Sequence, residues 1–284
     1  RALVHWFAAQ TKAAADAWEQ AAIHATRAGA QHERAEILVW IASSLVYGPT
    51  PVTDAIRRCQ QITTQVQGNL VAQAATLPKL AALHAMEGRF DLARTLLASS
   101  DSLFNELGLG LNSAVSHHAA LVELLAGNAA EAERSLRLGY LALEQMGDRS
   151  LLSTTAAYLA RAILAQGRDQ EAARYAARSD ELAAAADVST QAIWRGVQAC
   201  VLARTGQLED AERLARTAVA LLEASDFVNH QGEALLDLAT VLEYDRRPNA
   251  AGAALRASLS HFEHKGNTVA AGQVRNRLAR IAAL

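Results

Sequence analysis

Nine histidines and two cysteines are the side chains most able to do chemistry in this 284-residue sequence. A metal site needs several such ligands on one face. His117 and His118 are adjacent, and adjacent residues on a helix point apart. His261 and His264 stand three apart and could share a face, but no HExxH and no third ligand accompanies them. Cys59 and Cys200 are far apart and lie in no CxxC or Cys/His spacing. They read as small buried hydrophobes in a reducing cytoplasm. No GxSxG elbow and no GxxxxGK[ST] phosphate loop occurs. The stretch GLGLNS from Gly108 to Ser113 lacks the phosphate-binding lysine and reads as a turn. The expectation is therefore no metal, no cofactor and no catalytic residue, and chemistry limited to binding.

The elements that carry these residues read as helices. Of the residues, 51% are hydrophobic but only 5% are aromatic, and four are proline. Alanine and leucine dominate, and alanine loses no side-chain entropy in a helix. No alternating run of strand formers is present. Basic and acidic residues number 27 and 29, well mixed, which argues against a nucleic-acid face. Charges interrupt every apolar run before it reaches membrane-spanning length, and there is no signal peptide. The location expected is cytoplasmic. The chain begins at Arg1, which suggests a segment of a longer protein.

The organisation is repetitive. A glycine turn followed by an acidic residue and an alanine recurs as GRFDLARTLL at Gly88, GNAAEAERSL at Gly127, GRDQEAARYA at Gly167 and GQLEDAERLA at Gly206. RRPNAAGAAL is a further copy, with Arg246 in place of the glycine. Two looser copies precede these, one with the insertion GPTP at Gly48. The aligned alanines are Ala17, Ala55, Ala93, Ala132, Ala172, Ala211 and Ala251, at intervals of 38, 38, 39, 40, 39 and 40. A second turn closes each unit, so each is a helix–turn–helix, and no Ser/Gly/Pro-rich linker separates them. Residues 1–284 read as one continuous repeat domain of about seven hairpins and fourteen helices, with no sheet. A small residue at the aligned position suits the closest approach of paired helices.

Counting back from each turn glycine, small residues also stand at Ala81, Ala120, Ala160, Ala199 and Ala239. Together with the first alanine series, they resemble the tetratricopeptide repeat. The period here is about 40 residues rather than about 34, which one extra turn per helix would absorb. The resemblance implies an all-α, tetratricopeptide-like solenoid wound as a right-handed superhelix. The segments YGPTPVTDAIRRC, GRFDLARTLL and STQAIWRGVQACVLARTGQLEDAERLARTAVALLEASDF are further similar to the C-terminal repeat region of large bacterial signalling proteins. Those proteins carry a cyclase-like output domain and a STAND-type P-loop ATPase upstream. The resemblance implies a sensor or scaffold segment. The competing readings are the effector-binding region of an ATP-dependent transcriptional regulator and a free-standing adaptor.

Such solenoids bind on the concave face lined by the first helix of each hairpin. His117, Arg161 and Arg195 recur near the same slot of successive first helices, and Trp194 adjoins Arg195. The four are the expected contacts for a protein, peptide or acidic ligand, since arginine pairs carboxylates bidentately. The same arginines could instead pair with neighbouring glutamates. Trp6, Trp18, Trp40 and Trp194 could pack between units as readily as serve an interface. Partners could also be other domains of the parent chain or a second copy, through the half-hairpin RALVHWF at the N-terminus. Pro78, inside TLPKLAALHAM, should either start its helix or kink it.

Overall fold

A computed structural model describes residues 1–109 and 113–282. Among the described residues there are fifteen α-helices and no strand. The first helices of the hairpins are α1 (Ala2–Phe7), α3 (Gln31–Tyr47), α5 (Leu70–Met86), α7 (Ser113–Leu125), α9 (Arg149–Leu164), α11 (Val188–Arg204) and α13 (Val228–Tyr244). Each is followed by its partner: α2 (Thr11–Arg27), α4 (Val52–Gln65), α6 (Phe90–Glu106), α8 (Ala129–Met146), α10 (Asp169–Leu182), α12 (Leu208–Glu223) and α14 (Pro248–Lys265). A lone helix, α15 (Thr268–Ala282), adds to the seven hairpins expected. No described helix is long and apolar enough to cross a membrane.

The small positions do what their spacing demands. Ala55, Ala93, Ala132, Ala172, Ala211 and Ala251 are each the fourth residue of a second helix, and all are fully buried. Ala81, Ala120, Ala160, Ala199 and Ala239 face them from the first helices, equally buried. In α2 the fourth residue is Ala14, not Ala17. Ala14 is fully buried and Ala17 only half-buried, so the first copy aligns three residues earlier than its sequence suggests. The turn glycines Gly88, Gly127, Gly167 and Gly206 have positive φ, and Arg246 occupies the same left-handed conformation at φ 56°. That conformation costs a non-glycine residue roughly 1–2 kcal/mol.

Pro78 lies in the middle of α5 and removes the N–H that would bond the Ala74 carbonyl four residues back. Ser100 of α6 fills the gap: its buried hydroxyl donates to Ala74 O at 2.8 Å. The helix therefore runs through its proline without leaving a buried carbonyl unpartnered.

The superhelix returns onto its own start. α13 touches α3, and α15 touches α5. The contacts are polar and specific. Gln10, which precedes α2, gives no side-chain cap, and Asp226 supplies one from across the molecule. Its carboxylate accepts from Thr11 N at 2.5 Å, from the Thr11 hydroxyl and from Lys12 N at 2.8 Å. At the other end of this contact lies the GPTP insertion. Pro49 and Pro51 have no N–H to offer, so the carbonyls around them lack local donors. The fully buried Lys265 ammonium donates to Leu45 O at 2.7 Å, Gly48 O at 2.7 Å and Thr50 O at 2.8 Å. The open concave groove expected from the repeat is thereby largely closed into an axial core.

Candidate functional site

Because the turn closes, the first helices surround an axis rather than a groove. Helix α5 shows the consequence. From Thr76 to Met86 it is buried all round, its apolar residues packing outward onto α4 and α6 and inward onto the axis. Tyr47 of α3 stacks on Phe227 at 5.3 Å and on His230 of α13 at 5.5 Å. Tyr158 of α9 meets His230 Nε2 through its hydroxyl at 3.0 Å. These groups line the cavity on the axis together with Trp6, Trp40, Lys79 and His117. The cavity holds about 490 Å³, within the range of roughly 300–1,000 Å³ typical of small-molecule pockets.

Its mouth is apolar. Phe7, Trp40, Val71 and Leu151 are among the exposed large hydrophobic residues, and all four stand on this cavity's wall. Trp40 stacks on Trp18 at 5.3 Å, and Trp6 meets both edge-on or tilted, so the three indoles form one continuous aromatic wall. Clustered exposed aromatics mark contact surfaces.

Inside, one charge is unmatched. Lys79 is 5% exposed, and no described residue forms a hydrogen bond or ion pair with it. Burial pulls its ammonium down to about 8. The nearby Cys59 thiol is no counter-ion, because burial pushes it up to about 12. Of the acids on the wall, Glu36 lies 3.4 Å from His32 Nε2 on the exposed rim, and Asp187 caps α11 by accepting from Thr190 N at 3.2 Å. An unpaired buried cation is costly unless something else neutralises it.

His117 reaches the cavity wall, where its Nε2 lies 2.7 Å from Thr155 Oγ1 and its ring packs on Tyr158 at 5.4 Å. Thr155 donates its hydroxyl hydrogen to Leu151 O at 2.8 Å, so the network assigns the His117 proton to Nε2. Burial holds His117 down at about 4, with the Lys79 charge adding to it, and holds His230 down at about 3. Both rings are neutral at physiological pH.

The other three expected contacts lie elsewhere. Arg161 grips Asp237 with both amino groups, at 2.9 and 3.3 Å, and this carboxylate comes from α13, not from a neighbouring glutamate. Gly196 makes room for it: a Cβ there would stand 2.1 Å from Asp237 Oδ2. Burial pushes Glu233, beside this pair, up to about 7. Trp194 is buried in the core between α9 and α11, its indole N–H donating to Gln191 Oε1 at 3.2 Å. Arg195 lies over the Trp194 ring at 4.1 Å and donates to Gln191 O at 2.8 Å. Cys59 and Cys200 are both buried and unpaired with each other. Among the described residues no group of three or more His, Cys, Asp or Glu could hold a metal ion.

Lys79 was legible as an anomaly, a single ammonium in an otherwise apolar helix, LVAQAATLPKLAALHAM. Its exposure to an axial cavity was not legible, because that depends on the superhelix closing.

These features define a class: a tetratricopeptide-like α-solenoid wound tightly enough to enclose a cavity. No family model and no curated protein sequence matches the chain. Among solved structures it is similar to the Cut9–Hcn1 hetero-tetramer of the APC/C, with TM-score 0.64 and 11% identity. That match covers 98% of this chain and 49% of the other, so this chain spans about half the length of its match. It is also similar to NprR in complex with its cognate peptide NprX, with TM-score 0.60, 11% identity, and 91% of this chain and 82% of that chain covered. The apo form of the quorum sensor NprR from B. thuringiensis gives TM-score 0.54 at 11% identity, over 91% and 79%. At such identities these likenesses establish the fold.

Proposed function

We propose that this chain is a binding module that holds its ligand, a peptide or a small molecule, inside the axial cavity. The carrying observation is the cavity itself: an aromatic-walled space of about 490 Å³ with an apolar mouth and an uncompensated ammonium within. The likeness to NprR, crystallised with a peptide, supports the reading at the level of fold. Residues 1–284 act as one unit in it, because Asp226 and Lys265 tie the last hairpins to the first. Of the four residues expected at the contact, His117 is the one this reading keeps. Arg161 ties α9 to α13 and Trp194 packs between α9 and α11, while Arg195 binds Gln191 and Trp194 of its own helix. The chain performs no catalysis of its own, and it serves as the cytoplasmic sensor segment of a bacterial signalling protein whose cyclase-like and ATPase domains lie upstream.

The experiment is a counter-screened binding assay. Peptides and small molecules are screened by thermal shift against the wild-type chain and against Ala75→Trp, which fills the cavity from α5. Ligands of the wild type should lose at least about tenfold in affinity, roughly 1.4 kcal/mol, in a variant that still melts cooperatively. Equal affinity for both would remove the cavity from the account.

A further inference from the structure

The aromatic wall and the buried lysine restrict what could occupy the cavity. Binding a flat apolar body needs ring faces, and Trp6, Trp40, Tyr47 and Phe227 supply them around one space. Desolvating an ammonium is tolerable only if an anion meets it, and the chain brings none to Lys79 among its described residues. The other cationic side chains of the interior are occupied. Arg161 is held by Asp237, and Lys265 by three carbonyls. Lys79 alone among these three opens onto a cavity with its charge unanswered.

We infer that the cavity takes a small flat carboxylate, with its anionic group on the Lys79 ammonium and its apolar body laid against the aromatic wall of Trp6, Trp40, Tyr47 and Phe227. The inference rests on the cavity being the binding site and adds the ligand class. A small molecule is favoured over an extended peptide on two counts. The cavity's volume of about 490 Å³ suits a compact molecule. Its lining residues also lie mostly on helices, whose backbone groups are bonded within the helix and leave little to pair with a peptide main chain. His117 lies beside the anion site as a neutral ring with its Nε2 proton committed to Thr155, leaving Nδ1 as an acceptor for a water or a ligand hydroxyl.

Lys79 also has a signature that a structural residue would lack. A buried charge held by a protein partner is destabilising to remove, because the partner is left unpaired, whereas one kept for a ligand is neutral or stabilising to remove from the unliganded protein.

The probe pair is naphthalene-2-carboxylate and its neutral carboxamide, titrated by isothermal calorimetry and by tryptophan fluorescence. Three of the four tryptophans, Trp6, Trp18 and Trp40, form the wall cluster and would report binding. The wild type should bind the carboxylate at least about tenfold more tightly than the amide. Lys79→Met should abolish that preference while its melting temperature stays level or rises, and Lys79→Arg should restore part of it. If the amide binds as tightly as the carboxylate and quenches the tryptophans, the anion assignment fails and the cavity reading stands. If Lys79→Met keeps the preference, or neither probe binds, the inference is overturned. A lower melting temperature in Lys79→Met with the preference unchanged assigns the lysine to packing instead.

Discussion

Replacing Lys265 by methionine tests how the superhelix is closed. The side chain is fully buried and all three ammonium hydrogens are spent on Leu45 O, Gly48 O and Thr50 O at 2.7–2.8 Å. Each charge-assisted hydrogen bond contributes about 1.5–3 kcal/mol, so the three together give roughly 5–9 kcal/mol. Desolvating the ammonium offsets several kcal/mol of that. Methionine matches the stem in volume but leaves the carbonyls without donors. Thr50 O, near the surface, regains water, whereas Leu45 O and Gly48 O are buried with no substitute. Two stranded acceptors at about 1–3 kcal/mol each give a loss of about 2–6 kcal/mol. The assay is urea unfolding followed by circular dichroism, paired with hydrogen exchange. The exchange should rise at the C-terminal end of α3 and along α14, the two sides of the closure, before it rises elsewhere. A Lys265→Met protein as stable as wild type, with α3 and α14 equally protected, would refute the claim that this lysine holds the ends together.

Three further outcomes follow from the same structure. Ala172→Leu, at the fourth residue of α10, should cost about 1–3 kcal/mol by overpacking, whereas Ala184→Leu, at an exposed position, should change the melting temperature little. Ser100→Ala should cost more than Ser258→Ala in a denaturant melt, because Ser100 is the sole donor to a carbonyl freed by Pro78, while Ser258 adds a second bond to Gly232 O inside an intact helix. Acidification from pH 6.5 towards 4 should lower the melting temperature. His117 and His230 bind protons at about 6.5 when unfolded but only at about 4 and 3 when folded, so the unfolded state gains protons across that window. Glu233 works the other way between pH 7 and 4.5, since the folded state holds its proton at about 7. One acid opposes two histidines, and the variant His117→Gln/His230→Gln should flatten the fall.

The repeat was legible because it is local. An alanine at the closest helix approach and a glycine at φ near 80° are demands one hairpin makes on its own residues; the alanine recurs at every hairpin and the glycine at the four turns of Gly88, Gly127, Gly167 and Gly206. Arg246 could be aligned to a glycine position by its offset from Ala251 even though its residue type breaks the pattern. The axis was not legible. Asp226 capping α2 and Lys265 capping α3 join residues more than 200 apart, and locally each reads as an ordinary polar turn residue. A lysine in the last turn of a helix before a glycine looks like a solvated charge favouring the helix dipole. For the same reason, the slot count that placed Arg161, Trp194 and Arg195 on an open concave face could not see that α13 would lie across it and bring Asp237 to Arg161. Ala17 was misaligned because Ala14 and Ala17 stand one turn apart in an alanine-rich stretch, and only packing distinguishes them.

Hydrogen exchange of the whole chain, with and without a saturating ligand from the screen, tests the axial site most directly. The account predicts protection in the first helices, at the cavity-facing parts of α3, α5, α9 and α13 around Tyr47, Lys79, Tyr158 and His230, with the second helices unchanged. Protection confined to the outer helices α4, α8 and α12, with those first helices exchanging as before, would place the ligand on the outside of the solenoid and contradict the account.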